Sequence, residues 1–111
     1  MNIARTQLTL NDSRRMCKKK NGTLISVHSQ EENDFIDANM ITSHIFLNGL
    51  QKHNTFIWLD RTQFNYDNCE GECVTVKGDG DCIFMEKGGA WRPEDCNATA
   101  SAYACRIGTG M

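Results

Sequence analysis

Proline is almost missing from this chain: Pro93 is the only one in 111 residues. A Pro-rich linker or low-complexity tract is therefore excluded, and no internal repeat divides the sequence. Long apolar runs are missing too. None approaches the roughly 20 residues that cross a bilayer, so no transmembrane segment is expected. Neither sign of charge dominates. A formal net charge of −2 supplies no bulk positive field for a phosphate backbone, which argues against nucleic acid as a partner. Aromatic residues make up only 8% of the chain, so the core is real but modest. Catalytic signatures are absent as well. There is no nucleophile with a base at recognisable spacing, no phosphate loop, no zinc motif and no carboxylate pair set up as acid and base. His28, His44 and His53 lie in separate segments without metal-type spacing. No enzyme is expected.

What the chain does have is cysteine: Cys17, Cys69, Cys73, Cys82, Cys96 and Cys105. An even count at this density in a short chain reads as a disulfide framework and places the protein in an oxidising, extracellular setting, either secreted or as the ectodomain of a membrane receptor. Spacing alone does not choose among the possible pairings. No signal peptide is visible, so the chain is expected to be a mature or excised domain whose Met1 is not the natural start. The sequons at Asn11, Asn21 and Asn97 fit the secretory route as candidate glycosylation sites of a glycoprotein. The length suits one domain, 1–111, and is too short for two.

Two helix signals come early. Thr9 to Asp12 has capping-box spacing, and Leu10, Ser13, Arg14 and Cys17 follow a helical stripe with the arginines and lysines facing out. Asn21-Gly22 is the expected stop. Thr23 to Val27 reads as a short strand. Ser29 to Glu32 is a second capping box, opening a helix through Phe35, Ile36 and Ile41. After about Ser43 the pattern changes to short strands: Ile45–Leu47, Phe56–Leu59, Asn65–Tyr66, Ile83–Met85 and Ala102–Cys105. Asn68 to Asp81 reads as a long loop. Phe35, Ile36, Leu47 and Phe84 are core candidates, and Trp58 and Trp91 are expected core anchors. Helices first and strands later in one stapled unit predict an α+β fold.

The ordered set of segments resembles the C-type lectin-like domain family over almost the whole chain. Leu8 to Cys17, followed by Asn21 to Ser26, is similar to that family's first helix, its cysteine and its G-x-L-x-S strand. Ser29 to Ile36 is similar to its second helix. Phe46 to Leu50 stands at its W-I-G-L core strand, with Leu47 in place of Trp and Asn48 in place of Ile. Trp58 to Asp67 resembles the W-x-D-G strand and the segment after it. Cys82, Trp91, Cys96 and Cys105 fall in the order of the C-terminal half. The resemblance implies two helices flanking a small, mostly antiparallel sheet with a long loop. It also implies the pairs Cys17–Cys105 and Cys82–Cys96. Cys69 and Cys73 are then left over in the loop, where three intervening residues permit a small staple. The alternative is that one of them tethers a second chain.

Many members of that family hold a sugar through calcium. The ligands come from a Glu-Pro-Asn or Gln-Pro-Asp triplet, an acidic residue before the third framework cysteine, and a Trp-Asn-Asp triplet. Here the first triplet aligns with Glu72-Cys73-Val74 and the last with Trp91-Arg92-Pro93. The acidic position aligns with Gly80, flanked by Asp79 and Asp81, and the loop holds no proline at all. A cation stands where a metal ligand belongs, so the usual calcium–sugar site is expected to be lost and no cofactor is expected. Glu72, Asp79 and Asp81 are the weak metal candidates. With Asp67 and Glu70 they read as a solvated acidic loop in preference to a rearranged cation site.

The expected function is extracellular recognition, independent of calcium, of a protein in preference to a simple sugar, through the long loop and the neighbouring strand face. Glu70, Glu72, Asp79, Asp81, Arg92 and Glu94 are the candidate contact residues. One alternative is a carbohydrate-binding lectin with an altered, calcium-dependent site. Another is binding of sulfated glycans or other polyanions by Arg14, Arg15, Lys18, Lys19 and Lys20 on and after the first helix, a patch that otherwise reads as a solvated helix face.

Overall fold

The computed structural model describes residues 2–52, 55–69 and 82–107. Strand β1 (Asn2–Leu8) leads into helix α1 (Leu10–Lys19), strand β2 (Gly22–Leu24) and helix α2 (Gln30–Asn39). Strands β3 (His44–Lys52), β4 (Thr55–Trp58), β5 (Cys82–Glu86), β6 (Trp91–Glu94), β7 (Ala100–Tyr103) and β8 (Cys105–Ile107) complete the order. All named pairings are antiparallel. β4-β3-β5-β6 form a four-stranded sheet, β1 pairs with β7, and β2 pairs with β8.

Both helices begin where their caps place them. Thr9 accepts from the Asp12 backbone N–H, and the Asp12 carboxylate accepts in return from that of Thr9. The Ser29 hydroxyl accepts from the Glu32 N–H. Asn21, at φ 60°, turns the chain out of α1.

The sheet is covered on both faces. Along β3, Ile45 and Leu47 join a core with Ile36 of α2, Met40 just past its end, Trp58, Ile83, Met85 and Trp91. Phe46 points the other way, into a core with Leu10 and Cys17 of α1, Phe84 and Tyr103. Central strands therefore read as continuous apolar runs rather than alternating ones. At Gly49 the ring of Phe56 occupies the place where a Cβ would stand, so the β3–β4 pair tolerates no side chain there.

Two disulfides join described residues. Cys17–Cys105 ties α1 to β8, and Cys82–Cys96 ties β5 to the turn after β6. These are the two pairs the resemblance implies. Cys69 is also disulfide-bonded, but the expected pairing with Cys73 lies outside the described residues.

Several expectations need correction. Phe35 is 70% exposed: it lies one residue, about 100° of helix, from the core-facing Ile36. Helix α2 ends at Asn39, leaving Ile41 68% exposed. Strand β2 stops at Leu24, because Ile25 instead bonds individually to Ala104 and Asn48. β4 stops at Trp58, and Leu59 lies in a turn. Asn65 and Tyr66 form no strand. Their side chains reach His28 and Gln30 instead. Ala102–Cys105 divides between β7 and β8. Strand β1 is not among the strands read from the residues, and the strand that the resemblance implies at Trp91 is β6. Among the named strands β6 lies at the edge, paired with β5, so it can hold Pro93, a residue with no N–H to give.

Candidate functional site

The polar frame beneath the candidate face centres on Asn33. Both ends of its side-chain amide are bonded inside the protein. Nδ2 donates to the Gly89 carbonyl at 3.0 Å, and Oδ1 accepts from Trp91 Nε1 at 2.7 Å. Asn68 donates to the same Gly89 carbonyl at 2.7 Å, and its own carbonyl accepts from the Trp91 backbone N–H. This network joins α2, the β5–β6 turn and the start of the long segment. It is how the buried Trp91 fixes the chain beside the candidate face. Trp91 also packs edge-on against Trp58 and Tyr66, with ring centroids 5.6 and 5.8 Å away.

Beside Trp91, the Arg92 side chain is exposed on the edge strand. Its guanidinium lies 3.0 Å from Glu86 Oε2 and 3.1 Å from Glu94 Oε2. Arg92 and Glu94 share one face of β6, and Glu86 is the diagonal neighbour across the pair with β5. Such exposed pairs contribute about 1 kcal/mol or less, so they organise the surface more than they stabilise the fold. Arg92 and Glu94 are thus brought together. Glu70, Glu72, Asp79 and Asp81 lie outside the described residues. Among the described residues no group of three or more His, Cys, Asp or Glu side chains is placed to hold a metal ion. Asn11, Asn21 and Asn97 are all exposed.

A second part of the face had no motif to announce it. A cleft of about 330 Å³ is lined by Phe56, Ile57, Trp58, Arg61, Thr62 and Phe64. Ile57 is 42% and Phe64 37% exposed, while Trp58 is buried with an indole N–H that has no hydrogen-bond partner. The period-2 alternation of β4 was the only signal that could have singled out Ile57. Arg61 has φ 68°, a backbone conformation that costs a non-glycine residue about 1 kcal/mol or more. Its N–H closes the turn on the Trp58 carbonyl, and the Thr62 hydroxyl and N–H both bond Asp60.

Asp60 is the hub of that turn. It also accepts from the buried Ser26 hydroxyl, which in turn lies 3.1 Å from His28 Nε2. Burial pushes the Asp60 carboxyl up. The hydrogen bonds from Ser26 and Thr62 and the neighbouring His28 outweigh it, so the group titrates below the usual aspartate range. The stability it contributes is present above the unfolded aspartate value of about 3.9 and lost as pH falls through the lower folded value. The Asp60→Asn variant is therefore less stable than the parent at pH 7, and the gap narrows as pH falls below about 4. Melting temperatures of both proteins at neutral and acid pH check this. A gap that widens in acid would contradict the assignment.

Comparison with known proteins fits this geometry. The model of the lectin C-type domain matches residues 6–107. The human low affinity immunoglobulin epsilon Fc receptor is 33% identical over 96 residues, which is 84% of this chain and 30% of the receptor. One chain of the Echis carinatus snaclec coagulation factor IX/factor X-binding protein is 34% identical over 92 residues, 79% of this chain and 63% of that one. The chain spans under a third of the first curated relatives. Among solved structures, the cow CD23 C-type carbohydrate-recognition domain superposes with a TM-score of 0.82 at 24% identity, covering 96% of this chain and 86% of that one. A calcium-independent type II antifreeze protein gives 0.79 at 25% identity, covering 94% and 81%. With that family's model matching nearly its whole length, the chain belongs to the C-type lectin domain family.

Proposed function

We propose that this chain is an extracellular recognition domain that binds a protein ligand without calcium. The observation that carries the reading is Arg92, held between Glu86 and Glu94 on the strand where the family resemblance puts two calcium ligands. A guanidinium there repels a divalent cation and occupies two of the nearby carboxylates. Pro93, at the second ligand position, has no side-chain oxygen. These residues do not fit the metal, and binding here needs none.

The ligand-binding face consists of Ile57, Arg61 and Phe64 together with the adjoining loop. An exposed apolar pair beside an arginine, over a buried tryptophan with a free N–H, supplies the residue types that anchor protein interfaces. The immunoglobulin and coagulation-factor relatives, whose names state protein ligands, support the same class. Recognition in preference to catalysis agrees with the receptor and lectin character of the relatives.

Two measurements test the reading. Extracellular modules bind calcium at about 10⁻⁴–10⁻³ M, so about 5 mM calcium would raise the melting temperature of a calcium-binding domain by several degrees over a chelator. The expected shift is under about 1 °C. Screening against arrayed secreted proteins and glycans, in calcium and in chelator, should give a protein partner that is retained in chelator. Its affinity should fall about tenfold or more in Phe64→Ser and Arg61→Glu variants. A calcium-stabilised domain that binds a defined sugar would replace this reading with that of a carbohydrate lectin.

A further inference from the structure

On a different face, α1, β2 and β3 enclose a cleft of about 430 Å³ whose lining includes Arg14, Lys18, Thr23, Leu24, Asn48 and Leu59. Arg15 also lines it, but its guanidinium is bound to Asp12. Among the described residues no acidic side chain lines the cleft. Arg14 and Lys18 form no ion pair among the described residues, so their charge is available to a ligand. A neighbouring cleft of about 320 Å³ shares Arg14 and Leu59, likewise has no acidic lining among the described residues and adds no further cation, so the groove continues past the first cleft with Arg14 at the junction.

The floor carries a second, independent feature. Asn48 is 2% exposed, and its side-chain carbonyl oxygen has no hydrogen-bond partner. Its backbone is fixed, with the N–H on Ile25 and the carbonyl on the Leu59 N–H, so the amide cannot withdraw. An unpaired buried acceptor is costly, and a hydroxyl entering the cleft removes that cost. Asn48 stands where the family resemblance places an isoleucine, so a polar side chain lines the cleft that Arg14 and Lys18 also line.

We propose that this cleft is a second binding site, for a sulfated saccharide. The sulfate meets Arg14 and Lys18, a ring hydroxyl donates to Asn48 Oδ1, and the C–H face of the sugar packs on the partly buried Leu59. A bare phosphate or sulfate uses the cations but not the amide. A sulfated sugar uses both, and the continuing groove takes a further residue of an extended chain.

The test is binding of a heparin-derived tetrasaccharide to the oxidised domain by calorimetry, beside its unsulfated counterpart. Sulfate-dependent binding that weakens steeply with salt is expected. Asn48→Ile should lower affinity about tenfold or more, and Arg14→Ala with Lys18→Ala should abolish it, at unchanged circular dichroism. Lys19→Ala with Lys20→Ala, outside the cleft, should change it less than about threefold. Three results would overturn the site: equal binding of the unsulfated sugar; Lys19 and Lys20 mattering as much as Arg14 and Lys18, the mark of diffuse charge attraction; and Asn48→Ile without effect. Binding to phosphatidylserine vesicles but not to the tetrasaccharide would equally replace the saccharide with a lipid surface.

Discussion

Replacing Cys17 and Cys105 together with alanine lowers the unfolding free energy by roughly 4–5 kcal/mol, the largest loss expected from any pair in the chain. The bond joins residues 88 apart, so it restrains nearly all of the unfolded polypeptide. The Cys82–Cys96 bond spans only 14 residues, and its removal should cost roughly 3 kcal/mol by the same chain-entropy argument. Alanine rather than serine is the right replacement, because Cys17 is wholly buried and a hydroxyl there would add a desolvation cost of its own. A domain of this size has about 5–15 kcal/mol in all, so the Cys17–Cys105 variant should be marginal at 37 °C. Urea unfolding of the two double variants separates entropy from packing. Release of a long loop expands the unfolded state and raises the dependence on denaturant, whereas lost contacts alone move the midpoint. A smaller loss for Cys17–Cys105 than for Cys82–Cys96 would show that the long bond is not what holds the ends of the fold together.

The cysteines and the helix caps were legible because they act locally or covalently. Thr9 with Asp12 and Ser29 with Glu32 need only three residues of chain to do their work. Phe35 was misplaced because adjacent apolar residues on a helix cannot both face one core, and only the packed sheet decides that Ile36 does. β6 came only with the resemblance and not from its own residues, because Pro93 is tolerated only at an edge, a property of the whole sheet. On the candidate site, the departure at Arg92 could be read from the sequence, but its two carboxylate partners could not. Glu86 meets Arg92 only through the β5–β6 register. The cleft above Asn48 gathers residues distant in sequence, so no motif could carry it. The one around Ile57 and Phe64 is built from residues 56–64 alone, but only the turn at Arg61 folds them over one another.

The Asn33–Trp91 pair yields the second large effect. Asn33→Ala should destabilise the domain by roughly 2–4 kcal/mol, because it leaves the indole N–H of a fully buried tryptophan without an acceptor and opens a small void. The Gly89 carbonyl suffers less, since Asn68 still donates to it. Trp91→Phe removes the other half of the same bond and strands Asn33 Oδ1, costing roughly 1–3 kcal/mol before any packing loss. The double variant should then be less destabilised than the sum of the two, with a coupling of about 1 kcal/mol or more. Additivity within about 0.5 kcal/mol would mean that each residue acts through packing alone. The pair also links stability to recognition. Asn68 and the Trp91 backbone meet where the described chain enters the long segment, and Arg92 comes next on the edge strand. Loosening Asn33 should therefore disturb the proposed binding face without touching any ligand. A partner bound through Ile57, Arg61 and Phe64 should lose less affinity in Asn33→Ala than one whose contacts reach Arg92 and Glu94. The ratio of those two losses, measured on one folded variant, says which half of the face the partner occupies.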